Sequence, residues 1–158
     1  MLSTFKNELI GVFREVDLFI ESQNGIATEQ GSLIIPKQVV QIAGQTALIL
    51  AELPFPVTAS MDLDVVSTLN YSVSKKLSEL LIEKGLRLET DGHLIWMPKE
   101  TQYTTIADFS NVEVQMAKSE FIVASKFKFK RPKDEKLIKA YLEHFPDSKE
   151  EIKKLSGK

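Results

Sequence analysis

Residues 39–66, "VVQIAGQTALILAELPFPVTASMDLDVV", compress a strand, a glycine turn, a helix and a second strand into one run. Residues 39–42 suit a buried strand, Gly44 a turn, and residues 46–53 a short apolar helix halted by Pro54. The second strand centres on Asp62 and Asp64. Strand residues two apart share a face, about 6–7 Å from one another at the strand rise. Both carboxylates therefore point one way, while Met61, Leu63 and Val65 point the other way into a core. Two like charges on one face are unremarkable where that face is simply solvated, which is the bland reading of an isolated D-x-D. The alternative is that they hold magnesium, a hard cation that takes oxygen ligands and shares its shell with substrate phosphates. The helix start after Gly44 supports the second reading: its unpaired amides attract a phosphate, the glycine permits close approach, and Thr46 can cap or donate a hydroxyl.

Working outward, 158 residues with 43% apolar and 27% charged content make one ordinary domain with a real core. No cysteine is present, which excludes a disulfide framework, thiolate metal sites and cysteine nucleophiles, and fits a reducing compartment. The expected location is the cytoplasm. Lys6, Glu8, Arg14, Glu15 and Asp17 interrupt the apolar N-terminus, so neither a signal peptide nor a membrane span is expected. Residues 126–158 hold 11 Lys and Arg against 6 Asp and Glu, a net charge of +5, and leave the rest of the chain at −7. A lysine-rich solvated helix explains that end simply; contact with phosphates is the functional alternative.

Apolar spacing predicts an amphipathic helix over residues 4–21, with Ser3 or Thr4 as cap, then a loop over 22–36 with a short extended piece at 33–35. A helix capped by Ser72 or Ser74 runs to Lys84, buries Val73, Leu77, Leu80 and Leu81, and ends at Gly85. Asp91-Gly92 joins two strand-like runs, the pattern of a tight hairpin. "YTTIADF" and "NVEVQMA" read as further strands, and residues 119–127 and 133–145 as helices around Pro132. The order predicts an α+β fold, a mixed β-sheet covered by helices, in a single domain over residues 1–158. His93 and His144 read as structural or exposed, and Trp96, Phe121, Phe127 and Phe129 as packing residues. No H-x-x-x-H, G-x-S-x-G or P-loop spacing is present to support a hydrolase or a kinase-type NTPase.

"AGQTALILAEL", "TASMDLDVV" and "SEFIVASKFKFKRPKDEKLIKAYLEHF" resemble, in order and rough spacing, the minimal nucleotidyltransferases of the DNA polymerase beta superfamily. The similarity covers about residues 38–145 and is nearest to the bacterial branch that includes abortive-infection toxins. The resemblance implies transfer of a nucleoside monophosphate from a nucleoside triphosphate to an RNA or protein hydroxyl. It implies two magnesium ions as cofactor and a cognate antitoxin as a partner. Gly44, Gln45 and Thr46 would then face the phosphates, Ser60 would stand where relatives carry threonine, and Asp62 and Asp64 would be the paired metal ligands. Asp108 would be the third carboxylate, with Glu113 in reserve. Lys126 and Arg131 would neutralise triphosphate charge, while Arg131, Lys133 and Asp134 match a segment equally suited to surface ion pairs. The chain departs from the family at Gln45, where a small residue is usual, and at Thr58, where relatives carry arginine. Those departures keep a second expectation open, an inactive module that binds nucleotide or a protein partner.

Overall fold

In the computed structural model, residues 2–89 and 91–157 are described, without the side chains of Leu2, Ser3 and His93. The chain forms helix α1 (Leu2–Gln30), strand β1 (Gln38–Ala43), helix α2 (Gly44–Leu50), strand β2 (Asp62–Val65) and helix α3 (Tyr71–Glu83). Strands β3 (Arg87–Glu89), β4 (Tyr103–Asp108) and β5 (Val112–Ala117) follow, then helices α4 (Ser119–Phe129), α5 (Glu135–His144) and α6 (Lys149–Leu155). The five strands make one sheet in the order β3-β2-β1-β5-β4. β1 runs antiparallel to β2 and parallel to β5, β2 is parallel to β3, and β4 is antiparallel to β5. This is the expected α+β class with a mixed sheet covered by helices.

Period-2 burial sets the sheet's two faces. Val40, Ile42, Leu63, Val65, Val112 and Val114 are buried on one side. Against them lie Leu9, Val12, Phe13, Val16 and Ile20 of α1 and Val73, Leu77 and Leu81 of α3, at helical spacing. Each such side chain contributes roughly 1.5–3 kcal/mol by burial, and the buried Leu48, Phe121, Ile122, Val123, Ile152 and Leu155 of the other helices extend the same core. Met61 departs from the expected alternation: it precedes β2 and is 59% exposed. No described helix is long and apolar enough to cross a membrane.

Three local expectations are corrected. α1 continues through Gly25 to Gln30 and so absorbs most of the segment read as a loop; Ser3 and Thr4 lie within it. A mid-helix glycine costs only about 1 kcal/mol, and the extension gains a clasp: Asn24 donates to the Ile35 carbonyl (3.0 Å) and accepts from the Ile35 amide (2.7 Å). The helix stops at Gly31, where φ is +67° and the Ser32 amide bonds back to the Ala27 carbonyl at 2.8 Å. Residues 33–35 take no strand partner, and that clasp holds Ile35 alone. α3 is capped by Asn70, whose side chain accepts from the Ser72 and Val73 amides, not by Ser72 or Ser74. The Asp91-Gly92 hairpin does not form. β3 takes β2 as a parallel partner instead, and residues Gly92–Leu94 make a 3-10 turn. Gly92 lies so close to the Val65 backbone that a Cβ there would stand 2.9 Å from the Val65 carbonyl carbon.

Candidate functional site

β2 buries Leu63 completely and turns Asp62 and Asp64 to the opposite face. β3 repeats the pattern in register, Arg87 beside Asp62, Leu88 beside Leu63 and Glu89 beside Asp64. Arg87 pairs with Asp62 at 3.0 Å, but Glu89 brings a like charge alongside Asp64. Like charges directly opposite on a sheet destabilise it unless something neutralises them. Burial first, and then the charges of Asp62 and Glu89, raise the Asp64 carboxyl above the usual carboxylate range, while Lys126 and Lys133 pull it back.

Gly44 belongs to the same construction. It has φ +69°, and a Cβ added there would collide with Asp64 Oδ2 and stand 2.9 Å from Asp64 Cγ. Only glycine tolerates both the left-handed backbone and a carboxylate lying against its Cα. The β1–α2 turn is thus shaped around Asp64.

The opposite wall is built by α4 and by the segment after it. Ile122, Ser125, Lys126 and Phe129, spaced three or four apart, face a cleft of about 1300 Å³ that Gly44, Asp62, Asp64 and Glu89 also line. α4 ends at Lys130, in the left-handed conformation at φ +45°, and Pro132 opens a 3-10 turn that carries Asp134 inward. Asp134 accepts from Lys126 Nζ at 3.2 Å and from Arg131 Nε at 2.9 Å. The Lys126 and Asp134 side chains are only 9% and 5% exposed, so this is a buried pair and not a surface one. Burial lowers the Lys126 pKa against the upward pull of Asp134. Lys133 and Lys136 line the cleft as well, giving it an acidic side and a basic side.

The remaining sequence candidates divide. Gln45 lines the cleft, and its amide donates to the Thr58 carbonyl at 2.9 Å, pinning the loop before β2. Thr46 is 1% exposed and donates to the Asp62 carbonyl at 2.7 Å, so its hydroxyl joins α2 to β2 instead of facing a ligand. Ser60 lines the cleft and accepts from the Asp62 amide at 3.2 Å. Asp108 is not brought to the site. It sits on β4 beside Glu113, itself level with Val39, while Asp64 is level with Ala43. Four residues along and three strands across amount to roughly 13 Å by 14 Å. There Asp108 pairs with Lys37 at 2.6 Å, and Glu113 accepts from Thr105 and Gln115. His144 is exposed on α5 and stacks near Phe55, with ring centroids 5.0 Å apart. The His93 side chain is outside the described residues.

Sequence reading overlooked Glu89. Its signal was the "RLE" run, which repeats the polar-apolar-polar order of "DLD"; the hairpin expectation hid the pairing that aligns them. Asp134 was legible as a residue but not as the hub of a buried pair, because nothing local to "RPKD" shows that Lys126 lies above it. Among the described residues no group of three or more His, Cys, Asp or Glu side chains is arranged to hold a metal ion. The acidic side nonetheless gathers the carboxylates of Asp62, Asp64 and Glu89, with Asp64 crowded by its two acidic neighbours, which suits a hard cation that needs one or two protein carboxylates and completes its shell with phosphates. No family model, curated protein or solved structure matches the chain.

Proposed function

We propose that the chain is a magnesium-dependent nucleotidyltransferase that moves a nucleoside monophosphate from a nucleoside triphosphate to an acceptor hydroxyl. One observation carries this reading: a single cleft sets Asp62, Asp64 and Glu89 opposite Lys126, Arg131 and Lys133. Asp62 and Asp64 are the ligands for magnesium, which when bound supplies neutralisation of phosphate charge. Lys126, Arg131 and Lys133 bind the phosphate oxygens, and Asp134 orients the first two. As the acceptor oxygen bonds to the α-phosphorus, the bond to the bridging oxygen breaks and pyrophosphate leaves. Glu89 takes the place expected of Asp108 and receives the hydroxyl proton. An RNA or protein acceptor, a cognate antitoxin and a cytoplasmic location rest on the family resemblance.

The test is incubation with each α-labelled nucleoside triphosphate, magnesium, and RNA and protein acceptors. Label transfer by the wild type and its loss in a folded Asp62→Asn variant are expected; undiminished transfer by that variant refutes the assignment. A binding module without transferase activity is the second reading, favoured by the lack of a third converging metal ligand among the described residues. It predicts magnesium-dependent nucleotide binding with no transfer to any acceptor.

A further inference from the structure

Beyond Lys126 and Arg131 the cleft continues into a region that charge does not explain. Phe129 lies one turn past Lys126 on the same stripe of α4 and is 58% exposed. Leu94, 72% exposed, and the half-buried Ile95, Trp96 and Met97 line the same part of the cleft. Trp96 and Phe129 meet edge to face, ring centroids 6.4 Å apart at 80°, and Lys128 Nζ lies 4.5 Å from the Trp96 ring centroid.

This ledge is anchored to the elements that carry the charged groups. Gly92 presses the start of the loop onto the Val65 backbone at the end of β2. Ser125, on the cleft stripe of α4, donates its hydroxyl to the Trp96 carbonyl at 2.6 Å. The Leu94 and Ile95 amides close the turn onto the Asp91 and Gly92 carbonyls at 2.9 and 3.0 Å. A rigid aromatic and aliphatic surface, left open to solvent beside convergent charged groups, has the composition of a ligand site.

We propose that the ledge of Leu94, Trp96 and Phe129 is the platform for the nucleobase of the triphosphate; this rests on the nucleotide reading above. The side chains of Leu94, Ile95 and Phe129 offer no hydrogen-bonding group, that of Met97 only a weak thioether acceptor, and that of Trp96 only an indole N–H. The ledge therefore selects by stacking area and not by base edges. Purine nucleotides bind more tightly than pyrimidine nucleotides, and adenine is scarcely distinguished from guanine. The aromatics expected to be packing residues acquire a ligand-facing role at Trp96 and Phe129.

Trp96 is the only tryptophan in the chain, so its emission reports on the ledge directly. ATP, GTP, CTP and inorganic tripolyphosphate are titrated in magnesium buffer, with Trp96 emission and calorimetry as readouts. Tripolyphosphate is expected to bind, to leave the emission unchanged, and to bind about 5- to 150-fold more weakly than ATP, the equivalent of one stacked base. Phe129→Ala and Leu94→Ala alter exposed side chains and leave the fold intact; each should bring ATP affinity toward that of tripolyphosphate without changing the latter. If ATP binds no tighter than tripolyphosphate, if both variants bind ATP as the wild type does, or if GTP and ATP differ more than about tenfold, the ledge assignment fails while the phosphate site stands. If neither ATP nor tripolyphosphate binds, the nucleotide reading fails and takes the ledge with it.

Discussion

Gly44→Ala tests whether the β1–α2 turn is shaped around Asp64. An alanine at φ +69° pays the left-handed backbone cost of about 1–2 kcal/mol. Its methyl also meets Asp64 Oδ2 directly and stands 2.9 Å from Cγ, so the carboxylate must leave its position. Overpacking of this kind adds about 1–3 kcal/mol, for a total near 2–5 kcal/mol. The second component belongs to Asp64 and is removed with its carboxylate. In an Asp64→Ala background only the Cβ remains, 3.2 Å from the new methyl, and the cost of Gly44→Ala should fall to about 1–2 kcal/mol. The four proteins of this cycle, unfolded in urea and followed by circular dichroism without divalent cation, should therefore show a coupling of about 1–3 kcal/mol. Additivity to within about 0.5 kcal/mol would refute the argument, since the glycine would then answer to backbone conformation alone.

Asp64→Asn should stabilise the metal-free fold at neutral pH, because the folded-state pKa of Asp64 is raised by burial and by the charges of Asp62 and Glu89. A raised folded pKa means that the carboxyl's favourable contribution is complete below its unfolded value and is lost as pH rises through the folded value. The wild type should accordingly lose ground to the variant across that window in thermal melts, and magnesium should restore it only in the wild type. Asp134→Asn leaves the buried Lys126 without its counter-charge and should cost about 3–5 kcal/mol. Arg131→Ala, whose side chain is 51% exposed, should cost under about 1 kcal/mol in the same urea titration. Asn70→Ala removes the acceptor for two amides at the start of α3 and should lower stability by about 1 kcal/mol, leaving magnesium and nucleotide binding unchanged by calorimetry.

The class of fold and the shared face of Asp62 and Asp64 could be read from residue patterns, because each depends on short-range regularity. Alternation in "DLDVV" places Asp62 and Asp64 on one face whatever else the chain does, and the heptad-like spacing of Leu9, Phe13, Val16 and Ile20 buries α1. A lone glycine between strand and helix marks a turn on its own. Element ends were less legible. Gly25 and Gly31 look alike in sequence, yet only Gly31 takes positive φ; Asn24 reaches Ile35 across 11 residues to carry the helix past the first.

What only the tertiary structure decided were the partners across the chain. "LRLETDGHLIWM" carries every local sign of a hairpin, and tight packing of Gly92 on Val65 with parallel pairing of β3 to β2 overrides it. That pairing puts Glu89, and not the distant Asp108, beside Asp64. Likewise Lys126 and Asp134 lie eight residues apart, about 12 Å along a continuous helix, and meet only because α4 ends at Lys130 and Pro132 turns the chain back. Local spacing determines which way a side chain faces; which charge it faces is set by strand order and helix packing, and those are properties of the whole chain.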